Sequence, residues 1–200
     1  GGGLNAGSQH SQCLEAWFAH VPGLKVVVPS NPADAYGLLR AAIEDPNPVI
    51  FVENRALYSS KGGLADSPAP VAIGVANISR AATDLTIVSY GAAVKLALAA
   101  AKMLAKERIE AEVIDLRSIQ PWDERTVVES VIRTGRCMVV HEAVTPFGVG
   151  AEIAAVVSER TFGQIKAPVL RVGAEFMPIP FAKSLEHECL PAQSDVVAAA

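Results

Sequence analysis

Short apolar runs alternate along the chain with longer segments in which apolar residues recur at helical spacing. The short runs predict buried strands at 25–29, 49–53, 85–90, 111–116, 137–141 and 169–172. The longer segments predict helices at 14–19, 32–44, 92–106, 124–134 and 148–160. Strands that alternate with helices in this way favour parallel sheets with right-handed crossover connections.

The ends of two helices carry specific signals. Asn31 is suited to cap a helix, and Pro32 fits the first helical position. Asp123 is a candidate cap for the helix that follows it, and Gly135 is expected to end that helix. These residues place the helix boundaries more closely than the apolar period alone.

The segment 59–70 contains Gly, Ser, Pro and Asp without any period, and we interpret it as a linker. The residues from 71 onward contain enough elements for a complete α/β domain. The residues before the linker contain two strands and two helices, which are too few for an independent three-layer domain. We therefore expect the first domain to lack its front half. The last residues, SDVVAAA, have no helix terminator, so we also expect the chain to be incomplete there.

Composition excludes several classes of protein. Half of the 200 residues are apolar and 19% are charged, as in a globular protein. The net charge of −4 and the absence of a basic run argue against nucleic acid or an anionic membrane surface as a partner. No apolar stretch reaches the ~20 residues of a membrane span. The three cysteines match no zinc or redox motif, so we expect small core residues in a reducing compartment.

Two histidines stand beside possible reaction partners. His10 lies in a Ser/Gln-rich loop before a helix, where it is either a helix-start hydrogen bonder or an acid–base group. His141 is expected at a strand end beside Glu142, either facing a ligand crevice or making a structural His–Glu contact at an interface.

Other residues have ordinary structural explanations. Glu15 is expected to be a solvated or helix-start carboxylate. Trp17, Phe18 and Tyr36 are expected in the core or at a subunit interface, because their spacing is helical. The Gly-x-Gly of TPFGVGAEIAA lacks the dinucleotide-binding spacing, and we interpret it as close helix packing with an interface role.

Four long segments carry a family resemblance. They are GSQHSQCLEAWFAHVPGLKVVVPSNPADAYGLLRAAIEDPNPVIFVEN, VIDLRSIQPWD, RCMVVHEAVTPFGVGAEIAA and APVLRVGAEFMPIPFAKSLE. In this order they closely resemble the beta subunit of thiamine-dependent 2-oxoacid dehydrogenase decarboxylases, which act on pyruvate, branched-chain 2-oxo acids or acetoin. The resemblance implies an α/β fold with three-layer αβα architecture. Residues 1–65 would be the C-terminal half of a pyrimidine-binding domain, and residues 66–200 a transketolase C-terminal-like domain.

The resemblance also implies site residues. His10 would line the active site at the thiazolium end of thiamine diphosphate, where it would assist proton transfer and reductive acylation of a lipoyl group. Ala42, Ile43, Asp45 and Asn47 would hold a structural potassium ion, chiefly through main-chain carbonyls. From the residues alone, the same stretch is simply a helix end and a turn. The cofactor would lie at the interface with an alpha subunit, which would hold its diphosphate and Mg²⁺, and this chain would supply no further cofactor ligand.

The implied activity is oxidative decarboxylation of a 2-oxo acid, with pyruvate favoured, and acyl transfer to lipoyl groups. The implied partners are an alpha subunit in a heterotetramer and the subunit-binding domain of the dihydrolipoyl acyltransferase, in bacterial cytoplasm or mitochondrial matrix. This chain alone is expected to be inactive. Two alternatives stay open: a transketolase or deoxyxylulose-phosphate synthase, which would carry further Arg or His for a sugar phosphate, and a non-catalytic assembly module.

Overall fold

The computed structural model describes residues 1–64, 66 and 68–200. Helices in these residues are α1 Gly7–His10, α2 Glu15–Ala19, α3 Pro32–Glu44, α4 Ala93–Lys106, α5 Glu124–Thr134, α6 Val149–Arg160, α7 Lys183–Cys189 and α8 Gln193–Ala199. Strands are β1 Lys25–Val27, β2 Val49–Phe51, β3 Asn77–Arg80, β4 Leu85–Ser89, β5 Ala111–Asp115, β6 Ser118–Gln120, β7 Cys137–Val144 and β8 Leu170–Ala174. None of the helices described is long and apolar enough to cross a membrane.

The larger sheet has five strands in the order β3-β5-β4-β7-β8. Strand β3 is antiparallel to β5, and the other neighbours are parallel. Successive strand residues face opposite sides: Val88 packs with residues of α5 and α6, whereas Ile87 packs with residues of α4 and with Val196 of α8. Two apolar clusters therefore cover the two faces of this sheet, and the predicted three-layer αβα arrangement is confirmed.

The smaller sheet has three strands in the order β2-β1-β6. Strands β1 and β2 are parallel, whereas β6 is antiparallel to β1. Strand β6 comes from the C-terminal part of the chain, beyond the predicted linker, yet it completes the sheet of the N-terminal part. Val26 and Val28 consequently belong to the same apolar cluster as Val88 and Ile119.

A buried polar network joins the two parts at the point where β5 passes into β6. Ser30 donates a hydrogen bond to the Asp115 carboxylate. Arg117 forms a 2.7 Å ion pair with Asp34, whose residue is 3% exposed, and its main-chain carbonyl accepts a 2.8 Å hydrogen bond from the Val28 amide. Burial raises the pKa of Asp115 to about 6, although hydrogen bonds from the Ser30 hydroxyl and the Arg117 amide act in the opposite direction. The network fixes how the two sheets meet.

The predicted helix ends are confirmed. The Asn31 side chain accepts a 3.0 Å hydrogen bond from the Asp34 amide, and Pro32 is the first helical residue. The Asp123 side chain accepts from the Thr126 amide at 3.1 Å. Gly135 ends α5 in the left-handed conformation, with φ of 74°.

Strands β3 and β6 and the short helices α1 and α7 were not predicted. These segments have three to seven residues, which is too short for either apolar period to stand out. The predicted linker 59–70 contains Ala65 and Ser67, which lie outside the described residues. The predicted domain boundary between residues 65 and 66 falls at the first of them.

The His141 ring lies against three glycines, Gly148, Gly150 and Gly173. It lies inside β7, which continues to Val144, so the expected position at a strand end was wrong. Its Nδ1–H donates a 3.0 Å hydrogen bond to the Ala143 carbonyl, so this contact takes the place of a His–Glu contact. A Cβ on Gly150 would lie 2.8 Å from its Cδ2, and one on Gly173 would lie 2.9 Å from its Cε1. The expected close packing of the α6 glycine pattern is therefore confirmed.

Several side chains are more exposed or more buried than predicted. Trp17, Phe18 and Tyr36 are exposed, Trp17 by 70%, so the expected core position was wrong for all three. In α2, Ala16 and Ala19 pack against the apolar cluster instead. The interface alternative for them stays a prediction. Glu15 is 4% exposed rather than solvated, although it does begin a helix. Cys137 and Cys189 are buried as predicted, whereas Cys13 is half-buried.

Gly150→Ala is expected to destabilise the protein by about 1–3 kcal/mol, because the added methyl group meets the buried His141 ring. This cost exceeds the ~1 kcal/mol by which alanine favours a helix interior over glycine. Urea unfolding followed by circular dichroism would measure it. The matched control is Gly63→Ala, where a Cβ meets nothing within 4 Å. Equal midpoints for Gly150→Ala and wild type would contradict the packing described.

The His141 imidazole is expected to stay neutral at pH values well below the usual pKa of histidine. Burial is the main cause that lowers its imidazole pKa to about 4. The unfolded chain therefore binds this proton first, and the free energy of unfolding should fall as the pH falls from about 6.5 to about 4. The imidazole NMR shifts would give the pKa directly. Asp115 titrates in the same pH range, but its raised pKa makes the free energy of unfolding rise as the pH falls. The stability test therefore compares two variants. His141→Gln should lose the pH dependence that His141 causes, and His187→Gln, which changes an exposed histidine, should keep it. A His141 pKa near 6.5 would contradict the assignment.

Candidate functional site

His10 is the last residue of α1 and is exposed. Ser11 follows it and is completely buried, so the chain turns inward directly after the histidine. None of the residues of α1 is buried. The imidazole therefore faces outward from the protein surface, where it is accessible to a molecule or subunit bound there.

The polar neighbours of His10 do not hold its ring. Ser8, Gln9 and Gln12 are exposed, and within the described residues no side-chain hydrogen bond joins them or Ser11 to His10. In the described residues, these neighbours therefore do not orient the imidazole through side-chain hydrogen bonds. The position of the imidazole depends instead on the main chain that carries it.

A buried polar cluster lies between the N-terminal and C-terminal parts. Tyr90, which follows β4, donates a 2.8 Å hydrogen bond from its hydroxyl to Glu15 at the start of α2. The Tyr90 ring stacks on His141 with 6.0 Å between ring centroids. Burial, together with the Glu15 carboxylate, raises the pKa of the Tyr90 hydroxyl, which therefore remains a proton donor. Tyr90 thus links the helix after the His10 loop to the core of the larger sheet.

A second contact in the same cluster joins Asn54 and Glu142. The Asn54 amide donates to the Glu142 carboxylate, while its own oxygen accepts a 3.0 Å hydrogen bond from the Ala56 amide. Burial, with a further contribution from the nearby Glu15, raises the pKa of Glu142 to about 7. These residues line a cavity of about 50 Å³.

Sequence reasoning missed this cluster. The sequence pairs Glu142 only with its neighbour His141. The positions of Asn54 and Tyr90 could have indicated the cluster. Each residue follows a strand, at the carboxyl edge where functional polar groups of parallel sheets lie.

The four residues expected to hold a cation lie together at the end of α3. Ala42 and Ile43 belong to its last turn, where main-chain carbonyls have no partner within the helix. The Asp45 carboxylate bonds the Lys25 ammonium and accepts 2.9 and 3.1 Å hydrogen bonds from the main chain and side chain of Asn47. These interactions lower the pKa of Asp45, with Lys25 as the largest cause.

The donor chemistry of this turn suits a hard monovalent cation bound by carbonyl oxygens. The Asp45 carboxylate is already engaged, and helix ends carry partial negative charge on their carbonyls. The described residues contain no group of three or more His, Cys, Asp or Glu that could hold a metal ion. The main-chain oxygens at the end of α3 are the groups of this turn that would hold such a cation.

A groove with a volume of about 860 Å³ lies between α2 and α6. Trp17 and Phe147, which are 70% and 89% exposed, stand on its walls, and Trp122 and Ile153 lie beside them. Its aromatic lining is typical of surfaces that another protein covers.

Two family models match the chain in sequence order. Residues 1–61 match the model described as "Transketolase, pyrimidine binding domain", and residues 74–196 match "Transketolase, C-terminal domain". A solved structure, "Split gene transketolase, inactive beta4 tetramer", is similar with a TM-score of 0.75 and 28% identity, over 96% of this chain and 61% of that chain.

Curated relatives are similar along the whole chain. The mitochondrial pyruvate dehydrogenase E1 component subunit beta-2 of Oryza sativa is 46% identical over all of this chain and 54% of its own length. The pyruvate dehydrogenase E1 component subunit beta of Rhizobium meliloti is 46% identical over 98% of this chain and 43% of its own length. The acetoin:2,6-dichlorophenolindophenol oxidoreductase subunit beta of Cupriavidus necator is also 46% identical, over all of this chain and 59% of its own length.

The chain thus spans about half the length of the curated relatives it matches. The C-terminal domain model alone covers more than half of its residues. Together with the αβα architecture and the order of the two matches, this coverage means that the chain belongs to the transketolase family.

Proposed function

We propose that this chain is part of the beta subunit of a 2-oxoacid dehydrogenase decarboxylase. The observation that carries the proposal is 45–46% identity, along 98–100% of the chain, to E1 beta subunits of two plants, an insect and a bacterium. The reaction is oxidative decarboxylation of a 2-oxo acid with transfer of the acyl group to a lipoyl group. Residues 1–65 and 66–200 are proposed as the two domains.

Thiamine diphosphate is the proposed cofactor, bound at the interface with an alpha subunit that holds its diphosphate and Mg²⁺. When bound, this cofactor stabilises the carbanion that remains after carbon dioxide leaves a 2-oxo acid. The residue of this chain proposed to act beside it is His10. An imidazole can give and take a proton near neutral pH, and His10 is exposed at the end of α1, where a facing subunit can bring a cofactor to it.

The proposed partners are the alpha subunit, in an α/β heterotetramer, and the subunit-binding domain of the dihydrolipoyl acyltransferase. The exposed aromatic residues Trp17 and Phe147 support burial against another subunit, because interfaces are enriched in such residues. The relatives include mitochondrial and bacterial proteins, and we propose the mitochondrial matrix or bacterial cytoplasm as the compartment.

Pyruvate is the proposed substrate, because most of the relatives compared are named for it. Acetoin is the second candidate, since the Cupriavidus necator subunit is 46% identical as well.

His10→Ala is expected to lower acyl transfer to lipoyl groups by roughly 100-fold or more, because a positioned acid–base group contributes about that factor. The assay uses the natural gene product co-expressed with its alpha subunit, with pyruvate, 2-oxoisovalerate and acetoin offered in turn. The exposed His187→Ala is the matched control and should retain wild-type rates. If a well-formed wild-type complex acts on none of the three substrates, the proposed function is wrong; if His10→Ala retains full rates, His10 has no part in it.

We also propose that the carbonyls of Ala42, Ile43, Asp45 and Asn47 bind K⁺. Support comes from their position at the end of α3, and from Lys25 and Asn47, which engage the Asp45 side chain and hold the turn in place.

Replacing choline chloride by KCl at equal ionic strength is expected to raise the thermal unfolding temperature of the same complex. Binding to the folded state alone stabilises it by about 2.7 kcal/mol at a K⁺ concentration of 100 times the dissociation constant. Asp45→Ala, which removes the hydrogen bonds that shape the turn, should abolish most of the shift. Glu44→Ala, which changes the neighbouring charge and leaves the turn intact, should retain it. An unchanged unfolding temperature in K⁺ would argue against the site.

A further inference from the structure

The segment that carries His10 has little structure of its own. Helix α1 has four residues and no side-chain cap. Gly3 and Asn5 in the loop before it have φ of 88° and 54°, and Gly7, its first residue, has φ of 73°. Left-handed backbone is uncommon outside glycine, so Asn5 requires support from its surroundings. Something beyond this segment must therefore keep His10 in place.

That support comes from α7, about 180 residues further along the chain. Glu186 is 3% exposed and places one carboxylate oxygen on each of two loop amides. Its Oε1 accepts a 3.0 Å hydrogen bond from the Gly3 amide, and its Oε2 accepts a 2.9 Å hydrogen bond from the Asn5 amide. A carboxylate with both oxygens engaged by main-chain donors fixes the path of that backbone.

Neighbours of Glu186 pack against the same loop. Phe181 lies before α7, and a Cβ on Gly7 would be 3.5 Å from its ring. Leu190 lies after α7, and a Cβ on Gly2 would be 2.9 Å from its Cδ2. Side chains from both ends of α7 thus contact the loop on either side of the two hydrogen bonds.

We propose that Glu186 is a positioning residue, which holds the 3–7 loop through the Gly3 and Asn5 amides and thereby sets the place of the His10 imidazole. The role in catalysis rests on the proposed function of His10. Glu186 itself touches neither substrate nor cofactor in this proposal.

Glu186→Gln tests the link with the smallest change of shape. The glutamine oxygen can accept one of the two hydrogen bonds, but its NH₂ group opposes the other amide. Displacement of a reacting group by about 1 Å can cost roughly 100-fold in rate, so we expect acyl transfer by the complex to fall by roughly 10- to 100-fold. The matched control is Glu188→Gln, which changes an exposed carboxylate on the same helix and should leave the rate unchanged. Glu186→Asp keeps the carboxylate and should restore part of the rate.

A double-mutant cycle separates positioning from general destabilisation. If Glu186 acts through His10, then Glu186→Gln should have little further effect in the His10→Ala background. If it acts only on stability, the two losses should multiply, and the proposal would be wrong. Circular dichroism and the unfolding temperature of each variant identify any that fail to fold, in which case Glu186→Asp takes the place of Glu186→Gln in the cycle.

Amide hydrogen exchange tests the anchoring without any assay of activity. In the same complexes, Glu186→Gln should speed exchange in a peptide that covers residues 3–12 and leave the strands of the larger sheet unchanged, whereas Glu188→Gln should resemble wild type. Unchanged exchange in residues 3–12 would overturn the proposal even if activity fell. If the wild-type complex is inactive, the proposed function fails and the catalytic role of Glu186 fails with it, while the exchange measurement still decides whether Glu186 anchors the loop.

Discussion

The two residues between β5 and β6, Leu116 and Arg117, carry the chain from one sheet to the other, and the arrangement of both parts depends on this crossing. Asp115 ends a strand of the five-stranded sheet, and Ser118 begins the outer strand of the three-stranded sheet. Arg117 lies between them with φ of 60° and pairs with Asp34 while its carbonyl bonds the Val28 amide. An unpaired buried charge is costly, so these contacts favour the orientation of the sheets in which the partners meet. One apolar cluster, which includes Val26, Val88 and Ile119, runs through both parts.

Once the sheets are fixed, the candidate site in the N-terminal part is held from the C-terminal part. Glu15 bonds Tyr90, Asn54 bonds Glu142, and the loop before His10 bonds Glu186. In each pair one partner belongs to the pyrimidine-binding match and the other to the C-terminal match. The C-terminal domain therefore contributes the rigid support of the His10 segment, in addition to any role in assembly.

The sequence predicted local features well and long-range polar contacts poorly. Asn31, Pro32, Asp123 and Gly135 signal helix ends through interactions within a few residues, and such interactions can be read from spacing. The parallel strands were predictable because buried strands carry unbroken apolar runs. Glu186 gave no such signal, since its partners are main-chain amides about 180 residues away that any residue type would supply. The exposure of Trp17 could not be predicted either, because helical spacing of an aromatic residue does not distinguish a side chain in a core from one that faces an open groove.

The buried polar groups bear on where substrate choice lies. Glu15, Tyr90, Asn54 and Glu142 form a cluster in which each side chain already has a partner from the other part of the chain. Groups satisfied in this way hold structure together, whereas a specificity pocket leaves polar groups for its ligand to satisfy. The chain is 46% identical both to E1 beta subunits named for pyruvate and to a subunit named for acetoin. Overall similarity thus does not distinguish these substrates, and neither does the internal cluster. The cluster therefore holds the N-terminal and C-terminal parts together and does not present free carboxylates to a ligand.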